Sequence, residues 1–330
     1  MINISKEQLV ENLDYPILIE ALRKAFQEKY IVPVRHHHNY QNPKERIEST
    51  LLLMPAWQEG KYLGVKMVTV SPKNGKYNLP SIHGIYTLFD AEKGMPLAQI
   101  DATTLTAQRT AAASALASSF LSKKNSKTLL MVGTGALASE LILAHASVRP
   151  IETVYVWGRN LEKAKVVANF INCLPTKQAE HLQVSKKYDF EIFPIKNIEE
   201  GIEKADIISC ATLSHTPLVF GKKLNIGQHL DLVGAYRPDM READDEAILK
   251  SSVFIDTYDG MQESGDIASP LKNGILKREN ICGDLFELCR GEKTGRKDNN
   301  EITFFKSVGH ALEDLAAAKL IYEKVNRGIG

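Results

Sequence analysis

The chain is 330 residues long, 44% hydrophobic, and carries a formal net charge of +1 at neutral pH. Length and apolar share allow two hydrophobic cores, so two domains are expected. The near-neutral balance gives no electrostatic footprint for nucleic acid or an anionic membrane surface, and no apolar run reaches the ~20 residues of a membrane span. The opening MINISKEQLVENL lacks a basic segment followed by an apolar core, so no signal peptide is expected and the compartment reads as the cytoplasm. Cys173, Cys210, Cys282 and Cys289 show no CxxC spacing and read as buried thiols of a reducing compartment.

In chain order, Ser5 to Tyr30 reads as one or two helices, with Ser5 as a cap, Pro16 in a first turn, and Ile17, Leu18, Ala21, Leu22, Ala25 and Phe26 as an apolar stripe. His36, His37 and His38 come next. Adjacent side chains on a strand alternate faces, so three in a row converge poorly on one ion, and no metal is expected. Strand-like segments then run over Glu48 to Met54, Tyr62 to Ser71, His83 to Asp90 and Pro96 to Asp101, separated by turn signals such as Lys73-Asn74-Gly75. Within them Lys66 interrupts the apolar run Gly64 to Val68, either on a wet face or turned into a cavity to meet an anion. Leu105 to Leu121 is a helix of small residues suited to a domain junction. Arg109 and Thr110 near its start could hold a carboxylate or phosphate; otherwise the arginine bonds a neighbouring carbonyl.

Thr128 to Ser139, TLLMVGTGALAS, organises the central part of the chain. The apolar run Leu129 to Val132 leads into Gly133, Gly135 and Ala138 in G-x-G-x-x-A spacing, and then into a helix-compatible run, Glu140 to Ser147. Gly133 permits the turn, Gly135 lets backbone approach a pyrophosphate, and Ala138 lets helix and strand pack closely, which predicts a dinucleotide site. The next strand, Thr153 to Trp157, ends in Gly158, Arg159 and Asn160 where an NAD-specific site would place an acid. Arg159 can pair with a 2′-phosphate, so NADPH is preferred; if it is only a solvated loop arginine, the cofactor is NADH.

Alternation continues with a helix at Glu199 to Lys204, strands at Ala205 to Cys210, Leu230 to Val233 and Val253 to Asp256, and a helix at Ala243 to Lys250. That pattern is a doubly wound parallel sheet, whose ligand contacts come from carboxyl ends of strands, here Thr212-Leu213 and Gly234-Ala235-Tyr236. Ser264 to Asp266, Asn273-Gly274 and Gly291 to Asn300 read as loops. Gly309 to Val325 is an amphipathic helix, with Leu312, Leu315, Ala316, Lys319, Leu320 and Tyr322, expected to return to the first domain.

Together, Ala107-Gln108-Arg109-Thr110-Ala111-Ala112, the G-T-G-A turn, Val233 to Asp239 (VGAYRPD), Glu263-Ser264-Gly265-Asp266 and Lys306-Ser307-Val308-Gly309 resemble the ornithine cyclodeaminase/mu-crystallin family over nearly the whole chain. The resemblance implies an α/β fold: a Rossmann-type doubly wound domain over residues 121–304, inserted in an α+β substrate-binding and dimerisation domain over 1–120 with 305–330. It implies a homodimer in which Arg46, Lys66 and Arg109 gather around a substrate carboxylate, with Ser81 nearby. It also implies cofactor contacts from Thr110, Gly133, Thr134, Gly135, Ala136, Leu137, Gly158, Arg159, Asn160, Lys163, Thr212, Leu213, Val233, Ala235 and Ser307. Ornithine cyclodeaminases carry a glutamate at the position of Leu52 and an aspartate at that of Tyr236, carboxylates that cyclisation with ammonia loss requires. Leu52 and Tyr236 cannot act as those bases, and R-P-D-M-R-E after Tyr236 is similar to mu-crystallin and the bacterial ketimine reductases. The expected reaction is NAD(P)H-dependent reduction of the cyclic imino acids Δ1-pyrroline-2-carboxylate and Δ1-piperideine-2-carboxylate. The alternatives are ornithine cyclodeaminase, an alanine or N-alkyl amino acid dehydrogenase, and a non-catalytic NADPH-dependent binder of small ligands.

Overall fold

In the computed structural model, which describes residues 1–42, 47–174 and 189–327, the chain divides into two compact units. One comprises Met1–Thr110 and His310–Gly330, the other Ala111–Gly309.

The first unit opens with a short strand β1 (Ile2–Ile4) and helices α1 (Lys6–Asn12) and α2 (Tyr15–Gln27). Ser5 begins α1 through a capping box, its hydroxyl accepting from the Gln8 amide while the Gln8 side chain accepts from the Ser5 amide. Pro16 occupies the first turn of α2, whose face of Leu18, Ile19, Leu22, Ala25 and Phe26 is buried. Strands β2 (His36–Asn42), β3 (Ile47–Gln58), β4 (Tyr62–Val70), β5 (Ile82–Asp90) and β6 (Pro96–Asp101) complete a sheet in the order β1-β6-β5-β4-β3-β2. Every pairing in it is antiparallel except β1 with β6. The C-terminal helix (Ala311–Arg327) packs within this unit against α2 and strands β3 to β5, as its apolar stripe predicts.

Helix α3 (Ala102–Leu121) starts three residues earlier than the sequence suggests, because the Asp101 carboxylate accepts from the Thr104 amide and caps it. Arg109 and Thr110 therefore lie two turns into the helix rather than at its N-terminal turn.

Among the described residues of the second unit, eight parallel strands stand in the order β13-β12-β14-β11-β10-β7-β8-β9. They are β7 (Thr128–Val132), β8 (Thr153–Trp157), β9 (Glu191–Ile195), β10 (Ile207–Cys210), β11 (His229–Leu232), β12 (Ser251–Ile255), β13 (Ile281–Asp284) and β14 (Ile302–Lys306). The helices between them, among the described residues, are α4 (Ala138–Val148), α5 (Leu161–Asn172), α6 (Ile198–Lys204), α7 (Asp245–Leu249), α8 (Gly265–Lys272) and α9 (Leu285–Arg290). Strands β10 and β11 are buried at every residue, as a sheet covered on both faces requires. Strand order reverses between β7 and β10, the switch point at which open α/β sheets bind ligands.

Two expectations are corrected. Ser264 to Asp266 is no loop: Ser264 caps α8 through the Asp266 amide, and Gly265 begins the helix. Cys173 is exposed at the end of α5 and Cys282 is half-buried, whereas Cys210 and Cys289 are buried. Among the described residues no helix is long and apolar enough to cross a membrane.

Candidate active site

The turn after β7 has the geometry its glycines predict. Gly133 has φ of +124°, and a β-carbon there would lie 2.6 Å from the Ala211 carbonyl oxygen, so only glycine lets the ends of β7 and β10 approach this closely. Gly135 is exposed, and a β-carbon there would meet nothing within 4 Å, which leaves its backbone open to a ligand. Leu137, at the start of α4, makes no side-chain capping bond, and the first amide of the helix, that of Ala138, donates to the Gly135 carbonyl at 3.1 Å. Thr134 and Ala136 complete the turn, and Gly158, after β8, gives way to the Thr134 methyl, 2.7 Å from where a β-carbon would stand. Arg159 and Lys163 are exposed and make no ion pair among the described residues. Asn160 caps α5, accepting from the Glu162 amide at 2.9 Å.

Two buried carboxylates hold the neighbouring loops. Glu242 accepts at one oxygen from the Thr212 amide (2.6 Å) and hydroxyl (2.8 Å), and at the other from the amides of Gly234 (2.7 Å) and Ala235 (3.2 Å). The loops after β10 and β11 are thus stapled to one side chain. They already touch, since a β-carbon on Gly234 would fall 2.1 Å from the Thr212 amide nitrogen. Lys306 stands 3.3 Å from Asp266 and 3.9 Å from Glu242, all three buried. Burial, only partly offset by Lys306, raises the Glu242 carboxyl above the ordinary range. Asp256, at the end of β12, likewise accepts from the Ser307 hydroxyl (3.2 Å) and the amides of Val308 (2.7 Å) and Gly309 (2.8 Å). Of the expected cofactor residues here, Thr212, Ala235 and Ser307 are fixed by these carboxylates, Val233 is buried, and Leu213 is exposed.

In the first unit the cations are buried, not wet. Lys66 is 3% and Arg109 4% exposed. Lys66 Nζ lies 2.7 Å from Asp314 Oδ2, Arg109 Nε donates to Asp314 Oδ1 at 2.8 Å, and Arg109 Nη1 donates to Glu313 Oε2 at 2.5 Å. Sheet register and helix phase assemble this cluster: Lys66 is flanked by Met54 on β3 and Tyr86 on β5, and the C-terminal helix supplies both carboxylates. Burial pushes the Lys66 ammonium down to about 8; Asp314 opposes that shift, while Arg109 and Arg35 add to it. Burial would raise Asp314, yet Arg109 and Lys66 hold it below the usual carboxylate range. For Arg109 burial is outweighed by Asp314 and Glu313, which raise it above its ordinary value.

Reading residues in sequence missed Glu313, Asp314, Glu242 and Arg35. The signal for Glu313-Asp314 was an acidic pair between Ala311-Leu312 and Leu315-Ala316-Ala317-Ala318, where a solvated pair would break an apolar run. Arg46 lies outside the described residues. Ser81 is exposed, five residues before Tyr86 and so about 17 Å along the chain from it at ordinary strand rise. An open groove of about 540 Å³ beside α2 and the C-terminal helix, lined by Ile17, Lys24, Tyr30 and Lys319 among others, contains none of Lys66, Arg109 and Asp314. The three histidines of β2 are exposed, and no group of metal-ligating side chains occurs among the described residues.

A family model described as "Ornithine cyclodeaminase/mu-crystallin family" matches residues 3–328. The chain belongs to the ornithine cyclodeaminase/mu-crystallin family. A relative from Colwellia psychrerythraea, named Delta(1)-pyrroline-2-carboxylate reductase, is 37% identical over 98% of this chain and 98% of its own. The solved structure of Thermococcus litoralis Delta(1)-pyrroline-2-carboxylate reductase in complex with NADH and L-proline is 35% identical, with a TM-score of 0.87 over 99% of this chain and 98% of its own. An archaeal alanine dehydrogenase dimer with bound NAD is 26% identical, with a TM-score of 0.86 over 99% and 97%. Within this family, the departures at Leu52 and Tyr236 fall on defined surfaces. Leu52 is half-buried two residues from Met54, on the face of the sheet that carries Lys66, and Tyr236 is 43% exposed after β11.

Proposed function

We propose that this chain is an NAD(P)H-dependent reductase of cyclic α-imino acids, forming L-proline from Δ1-pyrroline-2-carboxylate and L-pipecolate from Δ1-piperideine-2-carboxylate. The observation that carries the reading is the buried cluster of Lys66 and Arg109 on Asp314 and Glu313. The two carboxylates keep both cations charged and fixed out of water, where they can meet the carboxylate of a substrate. Full-length similarity to reductases of this name supports the substrate class.

The open backbone at Gly135, the start of α4 without a side-chain cap and the stapled loops at Thr212 and Ala235 fit a nicotinamide dinucleotide. When bound it supplies the hydride that reduces an iminium carbon. The protein's part is to hold the carboxylate through Lys66 and Arg109, keep those charges out of water, and fix the loops through Glu242 and Asp256. Arg159, exposed and without an ion pair among the described residues, supports NADPH over NADH. Leu52 and Tyr236 leave cyclodeamination without its carboxylates. A homodimer with residues 1–120 and 305–330 as its substrate and dimerisation domain, and residues 121–304 as its cofactor domain, belongs to the same proposal; light scattering on the purified chain tests the dimer.

The second reading, alanine dehydrogenase, draws on the archaeal likeness and on an imine from pyruvate and ammonia presenting the same carboxylate. Assaying both cyclic imines beside pyruvate with ammonia separates them. Turnover confined to pyruvate with ammonia overturns the proposal.

A further inference from the structure

Among the described residues Tyr86 is the largest fully buried side chain, and its hydroxyl has no hydrogen-bond partner there. A dry core gains nothing from that oxygen, because a phenylalanine would fill the same space without leaving a polar group unsatisfied. Its position is closely determined. Tyr86 pairs directly with Lys66 across β4 and β5, so the two side chains share one face. Its tip lies over Gly64, where a β-carbon would come 1.9 Å from the hydroxyl oxygen; Ala56, paired with Gly64 on β3, keeps that spot shallow. Gly64 is two residues from Lys66 on the same face. The phenol also stands in the field of Asp314, the carboxylate that holds Lys66 and Arg109. Burial, reinforced by Asp314, raises the phenol well above its ordinary value, so it is a donor and not a base.

We propose that the Tyr86 hydroxyl contacts the ligand as the neutral donor that, with Lys66 and Arg109, holds the carboxylate of a small cyclic amino or imino acid. An ammonium, a guanidinium and a phenol differ in direction and charge, so together they fix the carboxylate plane as well as neutralising it. The proposal rests on the reductase reading for the ligand's identity.

The test is Tyr86→Phe, read by binding of L-proline and of pyrrolidine, its decarboxylated counterpart, to the oxidised-cofactor complex, and by steady-state reduction of Δ1-pyrroline-2-carboxylate. The expected result is a roughly tenfold weaker L-proline affinity and a similar rise in imine KM. Pyrrolidine and cofactor affinities should stay as in the wild type, and the unfolding midpoint of the free protein should be unchanged or higher. The ratio of proline to pyrrolidine affinity is independent of how much protein is folded, so it separates a carboxylate contact from a packing defect. Wild-type proline affinity in the variant, or equal loss for both ligands, overturns the assignment. If the wild-type protein binds L-proline yet reduces neither imine, the reductase reading fails and the Tyr86 assignment is still decided by that ratio.

Discussion

The two units build their sites from different materials. In the first, side-chain charges meet: Lys66 and Arg109 are buried on Asp314 and Glu313. In the second, backbone dominates: Gly133 and Gly234 let loops approach closely, Gly135 leaves its backbone open, and the carboxylates of Glu242 and Asp256 take up the amides of the protein's own loops. On the proposed reading, a charge lost from the first unit removes a ligand contact and unbalances the core at once. A charge lost from the second unit misplaces a loop.

Arg109→Leu should have the largest effect. It leaves two buried carboxylates short of a partner, at about 3–5 kcal/mol in stability, and it should lower kcat/KM for the imine by about a thousandfold or more. Kinetics together with thermal unfolding check it; a variant with near wild-type turnover would remove Arg109 from the anchor.

Glu242→Gln should act on the cofactor side. An amide cannot accept from the Thr212 and the Gly234 and Ala235 donors together, so at least one set loses its partner, worth about 2 kcal/mol or some thirtyfold in affinity. Cofactor titration should register that loss while L-proline binding to the first unit's cluster barely changes. An unaltered cofactor affinity would make the staple merely structural.

Lys66 gives a pH signature with two opposite signs. Its ammonium is lowered in the fold to about 8 from its ordinary value of 10.5, so above that point the unfolded chain binds the extra proton. Stability from this group therefore rises between about 8 and 10.5. Carboxylate binding falls over the same window, by about tenfold per pH unit at most, as the ammonium is lost. Lys66→Arg, charged throughout, should abolish the alkaline fall in imine kcat/KM; an identical fall in that variant would assign the titration to another group. Smallest is Arg159→Asp, expected to move cofactor preference toward NADH by roughly tenfold, measured as the ratio of kcat/KM values.

Much of the fold was legible because periodicity reported it: the apolar run and glycine spacing at Leu129 to Ala138 located the strand, glycine turn and helix start there, and Leu312 to Tyr322 located the last helix. Strand β2, HHHNYQN, carries no alternation to read, since it is exposed at nearly every residue and held by its ladder to β3. Strand β14 is short and buried throughout, which conceals its period. At the site, Lys66 and Arg109 stood out as charges amid small or apolar residues. Their counter-ions did not, because an acidic pair in a helix resembles a solvated face until the helix is placed, and Glu242 lies in the charged run Arg241 to Glu246, where a single buried member is invisible. Tyr86 reads as one more strand residue until its neighbours Lys66 and Gly64 are known.

The most direct test of the reductase assignment is oxidation of NADPH and of NADH with freshly prepared Δ1-pyrroline-2-carboxylate and Δ1-piperideine-2-carboxylate. Rapid turnover on at least one imine is predicted, faster with NADPH, with the product identified as L-proline or L-pipecolate. No turnover on either imine by protein that still binds the cofactor would contradict it.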